Sequence, residues 1–309
     1  MSHFQLRASG SRFLARWLRT LSEKTLPFRR ACVQSWVLPE ILRWQEPADF
    51  PVESSVEVHL LTSKRDWLCA VWTLASLVHF SGRRWPMVVH DDGTLPQKAR
   101  QTFMRMFGNL RIISRPDADR EVEARLTGYP RCLAYRRSHP LALKLFDCPL
   151  LAQAPRLLLL DSDVLFFRRP EEVLAWVDRG DEESFFNPDF QDAYTISRED
   201  AQARWGIELW PLVNTGLSLL PRAILDLEWC EKWLDDASIM APEHIAWREQ
   251  TLLALSASRL GRGGLLPESY EVSFNPAMAN NAVTRHYVGD MRPQFYAEGV
   301  LRVRQALKP

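Results

Sequence analysis

The chain has 309 residues, 46% of them hydrophobic, and 39 lysines and arginines against 38 acids leave a formal net charge of +1. This is enough apolar material for one large core or two small ones, and it excludes a disordered chain. The near-neutral balance excludes the basic footprint of a general nucleic-acid binder, so no nucleic-acid partner is expected.

The five cysteines, Cys32, Cys69, Cys132, Cys148 and Cys230, are scattered without C-x-x-C spacing. That indicates neither a zinc site nor a disulfide framework and fits a reducing compartment. Residues 1–30 carry Arg7, Arg12, Arg16, Arg19, Lys24, Arg29 and Arg30 against the single acid Glu23. Within them Phe13, Leu14, Trp17, Leu18 and Leu21 recur at helical spacing opposite Arg12, Arg16 and Arg19. This is the pattern of a helix that lies on anionic lipid or packs on the domain with its arginines in water. No run of 18 or more apolar residues is present and the first residues lack a continuous apolar stretch, so neither a spanning helix nor an ordinary signal peptide is expected. The expectation is a cytoplasmic protein, peripheral at the inner face of the membrane where residues 1–30 lie on lipid and free of it where they pack on the domain.

From about residue 50, short apolar strands alternate with amphipathic helices, the grammar of an α/β fold. Val56-Glu57-Val58-His59-Leu60-Leu61 reads as the first strand, followed by a helix over 67–80. Pro86-Met87-Val88-Val89-His90 reads as the second, followed by a helix over 95–107, a strand over 110–113 and a helix over 140–152. The run from Leu157 to Phe167 completes a series of four, and one parallel sheet is the simplest assembly. After residue 170 the regularity breaks. Phe185-Phe186 and the stretch 210–220 suggest strands and loops closing over the carboxyl edge of the sheet, where open α/β sheets bind ligands.

The run Leu157-Leu158-Leu159-Leu160-Asp161-Ser162-Asp163-Val164-Leu165-Phe166-Phe167 is apolar except for two carboxylates two residues apart. In one extended strand, residues i and i+2 project to the same side, so Asp161 and Asp163 would point together at a ligand beyond the strand end. Acids in apolar surroundings are costly without a partner, and two of them favour a cation. Paired hard oxygens suit Mg²⁺ or Mn²⁺, which take further ligands from substrate phosphates. A second pair, Asp117 and Asp119, lies in the polar stretch 114–121 and reads as a solvated turn leading into a helix.

Four segments in order resemble motifs of retaining glycosyltransferases of family 8. They are Thr62-Ser63 after the first strand, Asp161-Ser162-Asp163, Asn214-Thr215-Gly216 with the apolar residues through Leu220, and His286-Tyr287-Val288-Gly289-Asp290-Met291-Arg292-Pro293. The resemblance implies a glycosyltransferase A-type (nucleotide-diphospho-sugar transferase) fold, with a central mostly parallel sheet flanked by helices. Residues 1–50 would be an extension and 51–309 the catalytic domain. It implies that Thr62 and Ser63 contact the nucleotide, and that Asp161, Asp163 and His286 hold Mn²⁺ (or Mg²⁺), with Asp161 also near the ribose. An imidazole among the donors favours Mn²⁺. Asn214, Gly216 and Gly289 would line the donor, the glycine of the first segment letting the backbone approach the sugar. Arg292 stands where the family has a lysine on the diphosphate, and Gln294 and Phe295 stand where it has a tryptophan after the proline. By the same resemblance Lys144 reaches the donor's phosphate or sugar, and Glu249-Gln250-Thr251 sets Gln250 beside the anomeric carbon. Trp205 and Trp210 either stack on a sugar or pack in the core.

The activity so implied is metal-dependent transfer of a hexose from a UDP-sugar to the hydroxyl of a carbohydrate or glycolipid acceptor, with retention, as in cell-surface polysaccharide or glycolipid synthesis. With inversion instead, Asp189 or Glu249 becomes the base candidate. A phosphohydrolase of the haloacid dehalogenase type shares the Asp-x-Asp, but here Leu165 stands at its fifth place and Gly289-Asp290 lacks a partner acid. A nucleotidyltransferase needs a glycine-rich loop after the first strand, and 62–66 contains no glycine. A non-catalytic sugar-nucleotide-binding domain would share the fold.

Overall fold

The computed structural model describes Phe28, residues 30–272 and residues 281–307; the helix expected over 13–21 lies outside them. The strands among the described residues are, in chain order, β1 (Val56–Thr62), β2 (Met87–Asp91), β3 (Leu110–Ile113), β4 (Arg156–Leu160), β5 (Val164–Phe166), β6 (Ser184–Pro188), β7 (Val213–Pro221), β8 (Gly263–Leu265), β9 (Tyr270–Glu271) and β10 (Thr284–His286). Seven of them form one sheet in the order β3-β2-β1-β4-β7-β6-β8, and β5-β10-β9 form a second.

β3, β2, β1 and β4 run parallel, as the alternation of strands and helices predicts. The segments beyond residue 170 depart from expectation: they widen the sheet instead of closing over its edge. β7 pairs antiparallel with β4, β6 antiparallel with β7, and β8 parallel with β6. The reason lies in β7 itself, whose nine residues carry no charge and are buried throughout. A strand of that kind needs cover on both faces and a neighbour on both edges.

β4 shows how the two cores divide. Leu158 and Leu160 join Val56, Val58, Leu60, Met87 and Val89 in the core on one face, while Leu157 and Leu159 join the core on the other. Burying each such side chain contributes about 1.5–3 kcal/mol. The buried helix Trp67–Ser81, closed by Gly82 at φ 65°, covers the first face. The helices Leu141–Leu151 and Arg248–Leu260 cover the second.

The run 157–167 is not one strand. β4 stops at Leu160, residues 161–163 turn, and β5 leaves for the second sheet. Val164 N donates to Asp161 O across this turn (3.3 Å), and β5 is captured by β10 as its antiparallel partner. The Trp67–Ser81 helix fixes the departure: Thr73 Oγ1 donates to Ser162 O (2.9 Å) and Ser76 Oγ accepts from Phe166 N (3.1 Å). Among the described residues no helix is long and apolar enough to cross a membrane.

Candidate active site

Strand ends from both sheets meet at this turn. The β4–β7 register pairs Leu160 with Leu217, so Gly216 lies opposite the turn and its carbonyl accepts from Asp161 N (2.8 Å). The β5–β10 register pairs Val164 with His286, and Tyr287 N donates to Asp163 O (3.0 Å). Asp161 and Asp163 therefore converge through a turn held by neighbouring strands, and not through the pleat of a single strand.

His286 Nε2 lies 3.3 Å from Asp163 Oδ1 and 3.5 Å from Asp161 Oδ2. One donor atom from each of the three residues falls within 4.8 Å of the other two. The other ring nitrogen, Nδ1, is 2.8 Å from Asn214 Oδ1, which also accepts from Gly216 N (2.9 Å), while Asn214 Nδ2 donates to Asp189 Oδ2 (2.8 Å). These contacts fix the amide orientation. An amide oxygen only accepts, so Nδ1 carries a proton and Nε2 faces the aspartates. Burial lowers the affinity of His286 for a proton, but the two aspartates outweigh it and raise its pKa. Burial likewise pushes the Asp163 carboxyl up, and His286 and Arg292 outweigh it and hold it below its ordinary value. The point between the three residues thus attracts positive charge, and two carboxylate oxygens with one oriented imidazole fit a divalent cation such as Mn²⁺.

Gly216 serves this triad directly. A Cβ built there would overlap the His286 ring, so the glycine makes room for the metal-ligand candidate.

Beneath Asp161 lies a second layer. The buried Lys144 donates to Asp161 Oδ1 (2.8 Å) and Thr215 O (2.6 Å) and sits 3.7 Å from Glu249 Oε1. Thr215 Oγ1 donates to Glu249 Oε2 (3.0 Å). Burial pulls the Lys144 pKa down, but Asp161 and Glu249 outweigh it and the net shift is upward. Burial pushes Glu249 up against the opposing pull of Lys144. Gln250 accepts from Thr215 N (3.4 Å) and donates to Ala193 O (3.1 Å). Lys144 and Gln250, expected to touch the donor, are thus both engaged within the protein. Being buried, each takes protein partners for its polar head.

Arg292 closes the site from the other side. Its Nη2 is 2.6 Å from Asp66 Oδ1 without the alignment of a hydrogen bond, and its Nη1 is 3.6 Å from Asp163 Oδ2. Gly289, at φ 54°, opens the turn Gly289–Met291, and its carbonyl accepts from Arg292 N, which brings Arg292 back toward the aspartates. Thr62 ends β1 beside the turn, buried and with Oγ1 unpartnered, while Ser63 Oγ accepts from Arg65 N (3.1 Å). Asp66 is the site residue that sequence reasoning missed. Its only signal is its place one residue before the Trp67–Ser81 helix, where an acid ordinarily reads as a cap.

The two tryptophans pack in the core: Trp210 lies edge-on to Phe186 at 6.4 Å and Trp205 against Trp233 at 6.3 Å. Asp189 accepts from Asn214 Nδ2 and from Phe190 N (2.8 Å), which leaves neither oxygen without a donor.

No family model and no curated protein matches the chain. Among solved structures it is similar to mouse xyloside xylosyltransferase 1, with 11% identity, 79% of this chain and 99% of that one covered, and a TM-score of 0.48. It is similar to the galactosyltransferase LgtC in complex with donor and acceptor sugar analogues, with 17% identity, 81% and 95% covered, and a TM-score of 0.44. Core-mannan synthase A of Aspergillus fumigatus in its Mn/GDP form gives 11% identity, 72% and 78% covered, and a TM-score of 0.45.

Proposed function

We infer that the chain is a metal-dependent glycosyltransferase with a glycosyltransferase A-type fold, which moves a hexose from a nucleoside diphosphate, UDP in the first instance, to an acceptor hydroxyl of a carbohydrate or glycolipid. The observation that carries this reading is the Asp161–Asp163–His286 donor cluster at the carboxyl end of a parallel strand, with the incompletely bonded Arg292 guanidinium beside it. A divalent cation, Mn²⁺ in preference to Mg²⁺, held by those three residues would supply neutralising charge to the diphosphate.

The chain's own residues do the rest. Asn214 keeps the His286 tautomer that turns Nε2 toward the aspartates, and Asp189 keeps Asn214. Lys144 compensates the charge of Asp161 and Glu249 from below. Arg292 exchanges Asp66 for the departing diphosphate, a preorganised charge aimed where negative charge develops. The bond from the anomeric carbon to the phosphate oxygen breaks and one to the acceptor oxygen forms, and the acceptor's proton leaves with the phosphate. Retention is favoured because the base candidates for inversion are engaged elsewhere: Asp189 accepts from two donors, and Glu249 is buried, accepts from Thr215 and lies 3.7 Å from the Lys144 ammonium.

The test is a panel of nucleotide sugars with and without Mn²⁺. A true donor at a hundredfold excess over its Kd raises stability by about 2.7 kcal/mol in a Mn²⁺-dependent manner and is slowly hydrolysed. NMR of the product gives the anomer. Phosphate-ester hydrolysis without sugar transfer would favour the dehalogenase-type phosphohydrolase, and binding without turnover a sugar-nucleotide-binding domain.

A further inference from the structure

The second face of the sheet holds another cluster of titratable groups. β1 reads Val-Glu-Val-His-Leu, ordinarily a strand with one face in water, yet Glu57 and His59 are buried along with His90 of β2. What covers this face is the Leu141–Leu151 helix, and it contributes Cys148. His59 Nδ1 lies 2.9 Å from His90 Nε2, and one donor atom each from His59, His90 and Cys148 falls within 4.8 Å of the other two. His90 Nδ1 is buried and has no hydrogen-bond partner. Behind His59, Nε2 meets Glu57 Oε2 at 3.3 Å, and Glu57 is in turn held by Arg111 (3.1 Å) and the amides of Gln153 and Ala154.

We propose that His59, His90 and Cys148 are a structural site for a thiophilic divalent ion, Zn²⁺ by its chemistry, distinct from the Asp161–Asp163–His286 cluster. The donor types decide the metal. Two imidazoles and a sulfur suit Zn²⁺, whereas the oxygen-rich cluster at the strand end suits Mn²⁺. Glu57 stands to His59 as the carboxylate commonly found behind a metal-bound histidine, fixing its tautomer. Burial keeps both imidazoles neutral, the form that ligates. Burial also holds the Cys148 thiol protonated in the absence of metal, so binding releases one proton per ion as the S–H bond is replaced by a metal–sulfur bond. The His59–His90 hydrogen bond is exchanged for two metal–nitrogen bonds, which requires the nitrogens to part from 2.9 Å to about 3.3 Å for tetrahedral bonds of roughly 2.0–2.1 Å. Cys148 follows Lys144 by one helical turn, so the ion braces the helix that carries the lysine beneath Asp161.

The test uses the full chain, stripped with a chelator and titrated with Co²⁺. A thiolate-to-cobalt charge-transfer band in the near ultraviolet, abolished when Zn²⁺ displaces the cobalt, is expected in the wild type. The same band is expected in Asp163→Ala, whose missing site contains no sulfur, and in Cys32→Ser, which removes the half-buried cysteine. Cys148→Ser and, separately, His90→Gln should lose the band and weaken binding by more than about 100-fold. The wild-type spectrum decides even if those variants fail to fold. A wild type that shows no sulfur band at saturating Co²⁺, or a band that persists in both Cys148→Ser and His90→Gln, overturns the site and leaves Glu57, His59 and His90 as a metal-free hydrogen-bonded relay.

Discussion

Two Asp-x-Asp pairs share one spacing and have opposite surroundings. Asp117 and Asp119 sit in the first turns of the helix Arg115–Arg125, whose N-cap Ser114 accepts from Asp117 N. Arg120 reaches Asp117 at 2.7 Å, and Arg115 and the buried Arg136 reach Asp119 at 2.7 and 2.8 Å, so both outer carboxylates are matched by guanidinium groups. Asp161 and Asp163 lie between two sheets, where one lysine, one imidazole and one misaligned guanidinium compensate them. The lesson is that spacing does not make a site; what counts is whether neighbouring strands bring a third donor and withhold enough cations to leave the pair wanting one.

The largest expected effect breaks the inner pair. Asp163→Ala should weaken Mn²⁺-dependent binding of UDP, measured calorimetrically, by more than about 100-fold, since removing even an outer partner of a metal ligand typically costs 10–100-fold. Arg292→Ala comes next. A hydrogen bond to a charged group contributes about 1.5–3 kcal/mol, or roughly 10–150-fold in kcat if it is made only as the diphosphate leaves. Arg292→Lys should recover much of that while Mn²⁺ affinity stays near wild type. Loss of metal binding in Arg292→Ala with kcat intact would assign the arginine to holding Asp163 and not to the leaving group.

The parallel half of the molecule was legible because each of its strands is a short apolar run between helix-forming stretches, and β1 to β4 fall where those runs predict. The break after Leu160 was not legible. Asp161-Ser162-Asp163 has no glycine or proline, and the turn depends on distant contacts, the pairing of β5 with β10 more than a hundred residues away and the hydrogen bonds with Thr73 and Ser76. Order along the chain singled out His286 and Arg292, which lie beside the aspartates, whereas the internal contacts that Lys144 and Gln250 make were not legible, because residue type does not tell which way a side chain is spent. Asp66, and the meeting of His59, His90 and Cys148, depend on distant contacts and carry no local spacing signal.

Two tests of intermediate size sharpen the comparison. Asn214→Ala removes the oxygen that orients His286, and Mn²⁺ affinity should fall about 10–100-fold with the fold retained by circular dichroism. Unchanged affinity would mean that the aspartates alone orient the ring. Glu57 shows a buried carboxylate satisfied by protein groups, among them the Arg111 guanidinium at 3.1 Å: burial raises its pKa, but His59 and the amides of Ala154 and Gln153 outweigh it and bring it to about 2 from an ordinary 4.5. A depressed carboxylate contributes stability that is full above its unfolded pKa and lost as pH falls through the folded one. Chemical denaturation of the chelated protein should therefore show stability declining from about pH 4.5 toward pH 2, and Glu57→Gln should flatten that limb. An unaltered limb in Glu57→Gln would move the acid sensitivity elsewhere.

The smallest expected effect belongs to the outer pair. In Asp117→Ala with Asp119→Ala, the Ser114 cap remains and the buried Arg136 keeps both of its hydrogen bonds to Asp147, at 2.7 and 2.8 Å. The exposed Asp117–Arg120 ion pair contributes little because water screens it. Melting should thus shift by no more than about 3 °C, and Mn²⁺-dependent UDP binding and turnover should match the wild type. Arg136 gives the experiment its sensitivity: stripping Asp119 leaves its Nη1 with only the longer contact to Glu123 Oε1 at 3.5 Å, so any cost appears in the melting temperature and not at the metal. If the outer double variant lost donor binding as Asp163→Ala does, burial and neighbouring strands would not be what separates the two pairs, and the metal assignment at the inner one would fall with that distinction.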